Sequence, residues 1–192
     1  MERPVKLGSA GILLLVTAQL LMGCAAQNMT FVHPGVDFGH IRRCAILPFM
    51  NQSSDDLADE RMRSIFLTEI LDDGTLEIVG TGETLAAIRS LQLMTDVTLT
   101  PEEIQRLGSA LSVDAFFFGV IEEYGLSRTD RASGYEVTAV FGMTETQTGT
   151  VVWRTQVHVN GSSMWTKLFG GGTLSLFDVS RKAVRKGLET LF

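Results

Sequence analysis

The sequence predicts an α/β fold: a single domain with one mixed β-sheet and helices packed on it, in the order β-α-β-α-α-β-β-β-α. Three observations predict it. In the first half, short apolar runs alternate with segments whose apolar residues return at helical spacing, the pattern of parallel strands joined by helices. The run Ala115-Phe-Phe-Phe-Gly-Val-Ile is apolar on both faces, as a central strand covered on each side requires. Two later segments, 135–145 and 151–160, flank a polar turn of hairpin composition, Thr144-Glu-Thr-Gln-Thr-Gly-Thr. A chain of 192 residues, 45% hydrophobic and 20% charged, is enough for one domain with a sizeable core.

Taken in order, Cys44-Ala-Ile-Leu-Pro-Phe49 is a buried strand whose Pro marks its exit from the sheet, because Pro cannot donate to the ladder. Residues 51–56 are a polar loop in which Asp56 is placed to cap a helix, with Asp59 and Glu60 at its positive end. Ala58, Met62, Ile65, Phe66 and Ile70 form the buried stripe of that helix, and Asp72-Asp-Gly74 stops it. Residues 76–79 are a second strand, and Thr81 opens a helix with Leu85, Ile88 and Leu91 on one face. Thr100-Pro-Glu-Glu103 combines a capping Thr, a Pro at the first helical position and a Glu at the third, ahead of Ile104, Leu107 and Leu111. The third strand runs over 115–124, with Gly119 marking a bulge or a close backbone approach. After the hairpin, residues 161–172 are a glycine- and serine-containing loop. The last helix spans 176–191, with Val179, Ala183, Val184 and Leu188 inward and Arg181, Lys182, Arg185 and Lys186 on a solvated face.

The first residues decide where the domain ends up. Residues 1–6 carry Arg3 and Lys6, residues 12–22 are nearly all apolar, and small Gly23 precedes Cys24. These are the parts of a secretory signal, and the apolar run is shorter than the roughly 20 residues of a membrane span. Leu21-Met22-Gly23-Cys24 resembles the lipobox of bacterial lipoproteins. That resemblance implies cleavage before Cys24, a diacylglyceryl group on its sulfur and acylation of the new amine. Stable anchoring needs about two lipid chains, so three make attachment practically permanent. Ala25, where an Asp favours inner-membrane retention, implies sorting to the outer membrane, facing the periplasm. Residues 1–23 are therefore expected to be a lipoprotein signal peptide, 24–39 a lipid-anchored tether and 40–192 a periplasmic α/β domain.

The net charge of −6 and the absence of a basic stripe argue against a nucleic-acid partner. With Cys24 lipidated, Cys44 has no intrachain partner, and its apolar run suits a buried thiol that packs as a small hydrophobe. His33 in the tether and His40 just past its end read as solvated. His158 alternates within a strand and reads as a sheet residue with a solvated or hydrogen-bonded face. Three scattered histidines make no metal-ligand spacing. Gly170-Gly-Gly172 lacks the Gly-Lys-Ser/Thr ending of a phosphate loop, and no nucleophile elbow is present. Glu122 and Glu123 are adjacent in a strand and are expected on opposite faces, unable to act as an acid/base pair. No catalytic residue, cofactor site or metal site is assigned. The loop residues Met164, Trp165, Leu168 and Phe169 are the candidate partner-binding set, because interfaces favour aromatics and Met.

Three segments carry a wider resemblance. Arg43-Cys-Ala-Ile-Leu-Pro-Phe-Met-Asn-Gln-Ser53, Leu107-Gly-Ser-Ala-Leu-Ser-Val-Asp-Ala-Phe-Phe-Phe-Gly119 and Thr148-Gly-Thr-Val-Val-Trp153 resemble, in order and spacing, the opening strand, the helix-to-strand turn and the hairpin of periplasmic domains in one superfamily. It includes the curli-secretion lipoprotein, the LpoB-type activators of penicillin-binding proteins and small outer-membrane lipoproteins of unassigned role. Ser112-Val113 stands where Gly-Ala is common there, and Cys44 where Val is common. Asp114 is expected to end the preceding helix and bond nearby backbone amides. The resemblance implies a lipid-anchored, non-enzymatic envelope protein that binds and assists another envelope component in assembly, activation or export, with self-association possible. The alternatives are a subunit of an oligomeric curli-type secretion channel, and a hydrolase whose site is assembled from distant residues.

Overall fold

Met29–Val32 lies along one edge of the sheet as strand β1, in a computed structural model that describes residues 29–95, 98–127, 134–161 and 174–191. A three-residue helical turn, Phe38–His40, leads into β2 (Arg43–Ile46) and the very short β3 (Met50–Asn51). Helix α1 (Ala58–Asp73), β4 (Glu77–Ile78), α2 (Thr81–Ser90) and α3 (Pro101–Leu111) follow. Strands β5 (Ala115–Leu126), β6 (Tyr135–Glu145) and β7 (Val151–Asn160) precede the last helix, α4 (Leu176–Leu188).

The seven strands form one mixed sheet in the order β1-β7-β6-β5-β2-β4, with β3 pairing β5 beyond the end of β2. β2 pairs in parallel with β4 and β5, β3 pairs in parallel with β5, and β5-β6-β7-β1 is antiparallel throughout. The predicted element order is present, with β1 and β3 added. β3 is two residues after the Pro48 break, too short to carry a periodic signal. β1 corrects the reading of 24–39 as tether: its four residues pair with Trp153–Gln156 of β7 even though all four remain exposed. An edge strand held mainly by backbone hydrogen bonds, without a buried face, leaves no alternation to read.

Two apolar layers fix the sheet. On one face, Met62, Phe66 and Ile70 of α1 and Val179, Ala183 and Val184 of α4 pack against Phe117, Ile121, Phe141 and Val157. Phe66 is the hub, with ring centroids 5.3 Å from Phe117 and 5.2 Å from Phe141. Trp153 is fully buried there, and its indole N–H donates to Thr190 Oγ1 at 3.0 Å, which satisfies the one polar atom of the ring. On the other face, α2 and α3 cover Ala45, Leu47 and Phe116 with Ile88, Ile104, Leu107 and Leu111. This second layer stops at β5, so the second face of β6, β7 and β1 carries no helix among the described residues.

Local capping follows the sequence closely at two helices and departs at one. Thr100 and Glu103 form the reciprocal capping box of α3, and Ser175 and Asp178 form another at α4. At α1, Asp56 does not cap. Asp55 instead accepts from the Leu57 amide at 2.9 Å and from Arg61 Nη1 at 2.8 Å, a local turn that competes with a helix cap. The basic stripe of α4 is only partly solvated, because Arg181 and Arg185 both donate to Glu69 of α1. Among the described residues, no helix is long and apolar enough to cross a membrane.

Candidate functional site

The uncovered part of the second sheet face is the candidate site, and a β-bulge builds it. The pairing of β5 with β6 shifts between Ile121 and Glu123, leaving Glu122 as the extra residue. A bulge sets two residues against one partner. Here Glu122 accepts from Gln156 Nε2 at 2.8 Å, and Glu123 accepts from Thr138 Oγ1 at 2.6 Å. Gln156 and His158 are two apart on β7, and His158 Nδ1 lies 2.9 Å from the same Thr138 hydroxyl. The two carboxylates therefore share one face, which corrects the expectation that adjacent strand residues oppose each other. Since the Thr138 hydrogen goes to Glu123, the Nδ1–H of His158 donates to Thr138. The ring thus has its hydrogen-bonded face, as expected.

Glu122, Glu123 and His158 line a shallow polar groove with Gln52, Ser53 and Glu136. Toward β1, Glu122, Gln156 and Arg154 line a second groove beside Met29 and Phe31. Further along the same face, a cavity of about 370 Å³ opens between the α2–α3 layer and the hairpin, walled by Leu47, Ile104, Phe118, Val120 and Val151. Phe118 reaches across β6 because Gly142 stands opposite it; a Cβ there would sit 2.2 Å from the ring. Gly119 is the close approach foreseen in the sequence, since a Cβ on it would sit 2.8 Å from the Phe49 ring. Arg154 is exposed and borders both this cavity and the β1 groove.

Other singled-out residues fall elsewhere. Asp114 Oδ2 accepts from the backbone amides of Arg42 and Arg43, both at 2.9 Å, the backbone-bonding role expected of it. Cys44 is fully buried, and burial, reinforced by the charge of Asp114, pushes its thiol up to about 12. Such a thiol packs and does not react. His40 is not merely solvated: its Nε2 lies 2.9 Å from Glu145 Oε1. No three acidic, His or Cys residues among those described are grouped to hold a metal ion. Cys24 and the candidate partner-binding residues Met164, Trp165, Leu168 and Phe169 lie outside the described residues. The bulge and the exposed Arg154 carried no sequence signal beyond a polar tail on an apolar strand.

No protein-family model matches the sequence, and no curated protein matches it. Solved structures do match. A PelC dodecamer from Paraburkholderia phytofirmans, bearing one Leu-to-Met substitution, superposes with a TM-score of 0.58 at 16% identity, over 86% of this chain and 98% of that one. Lipoprotein GNA1162 from Neisseria meningitidis superposes with a TM-score of 0.55 at 16% identity, over 78% and 99%. What the chain shares with them is the fold. The LpoB C-terminal domain from Escherichia coli matches more loosely, at 0.48 and 11% identity over 76% and 93%, a superposition too weak to argue from.

Proposed function

We propose that this chain is a lipid-anchored, non-enzymatic envelope protein, held at the outer membrane through Cys24 and facing the periplasm, where it binds and assists another envelope component. One observation carries the reading. The lipobox cysteine stands five residues before the first strand of a domain whose fold is also that of a protein described as a lipoprotein. The candidate surface supports a binding role: it is broad, polar and bulge-shaped, and its two carboxylates and histidine are engaged with Gln156 and Thr138 rather than converging on an open reaction centre. The loop with Trp165 and Phe169 is the proposed partner contact.

Mass analysis of the mature N-terminus tests the anchor: a lipid-modified Cys24 is expected, and an unmodified terminus elsewhere overturns it. Crosslinking in intact envelopes tests the binding role, with a discrete partner band expected that weakens in Trp165→Ala at unchanged melting temperature. A protein that crosslinks to nothing overturns the binding role.

A second reading, assembly into a ring of copies, is favoured by one feature. Among the described residues, the outer edge of β1 is unpaired, and it carries exposed Met29, Phe31 and Val32. Exposed strand edges recruit further chains. A structure sharing the fold is described as a dodecamer. Sedimentation of the purified lipoprotein is expected to show a multimer that Phe31→Lys breaks. A membrane-crossing channel is less favoured. A membrane strand needs about 9–11 residues, and β5 and β6 are joined by residues 127–134 alone.

A further inference from the structure

We infer that the cavity beside Arg154 is a binding site for a single-chain anionic amphiphile, a carboxylate with a linear apolar tail. The inference rests on the shape and chemistry of that cavity alone and is independent of the lipid anchor. Its volume of about 370 Å³ lies at the small end of ligand pockets, which run from about 300 to 1,000 Å³. Leu47, Ile104, Phe118, Val120 and Val151 give it apolar walls. An apolar cavity of this size that opens to solvent gains from any apolar group that displaces its water.

Arg154 selects the kind of group. It follows Trp153 on β7 and faces away from the main core, opposite Gly142. Its guanidinium makes no ion pair or hydrogen bond with the described residues. Glu122, which lines the neighbouring groove together with Arg154, is held by Gln156. A guanidinium without a partner among the described residues, at the mouth of an apolar cavity, matches a carboxylate head with two parallel hydrogen bonds. A neutral or cationic amphiphile lacks that match. Gly142 keeps the mouth open: it pairs with Arg154 on one side and Phe118 on the other, and any side chain there would displace the Phe118 ring.

The probe is dodecanoate, titrated calorimetrically into the full chain below its micelle concentration. A saturable single site is expected, with affinity rising about fourfold per methylene from octanoate upward, the value of burying one such group. Arg154→Gln, an exposed position, is expected to weaken dodecanoate about fivefold, a change of the size that one partly solvated charged pair supplies. Dodecanol is expected to bind the wild type no better than dodecanoate binds that variant. Val120→Trp fills the cavity from a half-buried position and is expected to abolish binding at an unchanged circular dichroism spectrum. Absence of saturable binding overturns the inference, as does binding that neither substitution alters. Equal binding of dodecanol and dodecanoate to the wild type overturns the role of Arg154.

Discussion

Asp114 and Arg43 are locked together from both directions. The Asp114 carboxylate accepts from the Arg43 amide at 2.9 Å, and the Asp114 amide donates to the Arg43 carbonyl at 2.8 Å. Arg43 Nη1 adds a bond to the Leu111 carbonyl at the end of α3, at 2.9 Å. The junction between α3 and β5 is thereby fastened to the start of β2. Hydrogen bonds to a charged group contribute about 1.5–3 kcal/mol when buried, and this site is only part-buried. Asp114→Ala is expected to cost about 2–3 kcal/mol in urea unfolding, because two such bonds are lost together, and Asp114→Asn about half of that. A loss of partner crosslinking with unchanged stability would instead assign Asp114 to binding.

Ser112 closes α3 in the left-handed conformation, with φ 52° and ψ 49°. A side chain there costs about 1–2 kcal/mol, and Gly gives back about 0.5–1 kcal/mol through a freer unfolded chain. Ser112→Gly is expected to raise stability by about 0.5–1 kcal/mol, read as a higher melting temperature.

The thiol of Cys44 titrates only at about 12 in the folded chain, against about 8.5 when unfolded. Below about 8.5 its contribution to stability is complete. Above that pH the unfolded chain loses a proton that the folded chain keeps, so stability falls as pH rises. Cys44→Ala is expected to flatten this alkaline slope in denaturation curves between about pH 8 and 10, at some cost in packing. In a Cys24→Ser background, native Cys44 is expected to resist iodoacetamide and to react once urea unfolds the domain.

Glu69 sits between Arg181 at 2.5 Å and Arg185 at 2.6 Å, joining α1 to α4. Burial pushes its carboxyl up, but the two guanidinium hydrogen bonds and their charges outweigh burial and hold it below the usual glutamate range. Its stabilisation is present above the unfolded value of about 4.3 and is lost as pH falls through the lower folded value. Glu69→Gln is expected to lose less stability than wild type between about pH 5 and 3. High salt is expected to narrow the difference, since both arginines are half exposed.

The sequence made legible whatever rests on a buried period or a cap. The apolar spacing alone places Phe66 and Ile70 inward, and the punctuation alone places Thr100 at a helix start and Gly74 at a helix end. The site was less legible, for a physical reason in each case. A bulge needs only one extra residue, and Glu122-Glu123 looks the same in sequence with or without it. β1 has no buried side chain to alternate. Asp55 and Asp56 differ only in which of two adjacent carboxylates reaches a loop amide. Arg154 is one polar position in an alternating strand until Gly142 and Phe118 are known to lie beside it.

The pairing of Met29 with Gln156 has a last consequence for how far this molecule can reach. With Cys24 in the bilayer as proposed, only residues 25–28 separate the lipid from the sheet. Fully stretched, at about 3.3–3.6 Å per residue, the five steps from Cys24 to Met29 span no more than about 18 Å. That leash is too short for the body to swing across the periplasm in search of a target. Its search volume is a thin slab against the leaflet, with the Met29 end of β1 the part held nearest the lipid. A partner anchored in the opposite membrane must bring its own extension across the gap, whereas a partner seated in the same membrane meets this domain by lateral diffusion alone.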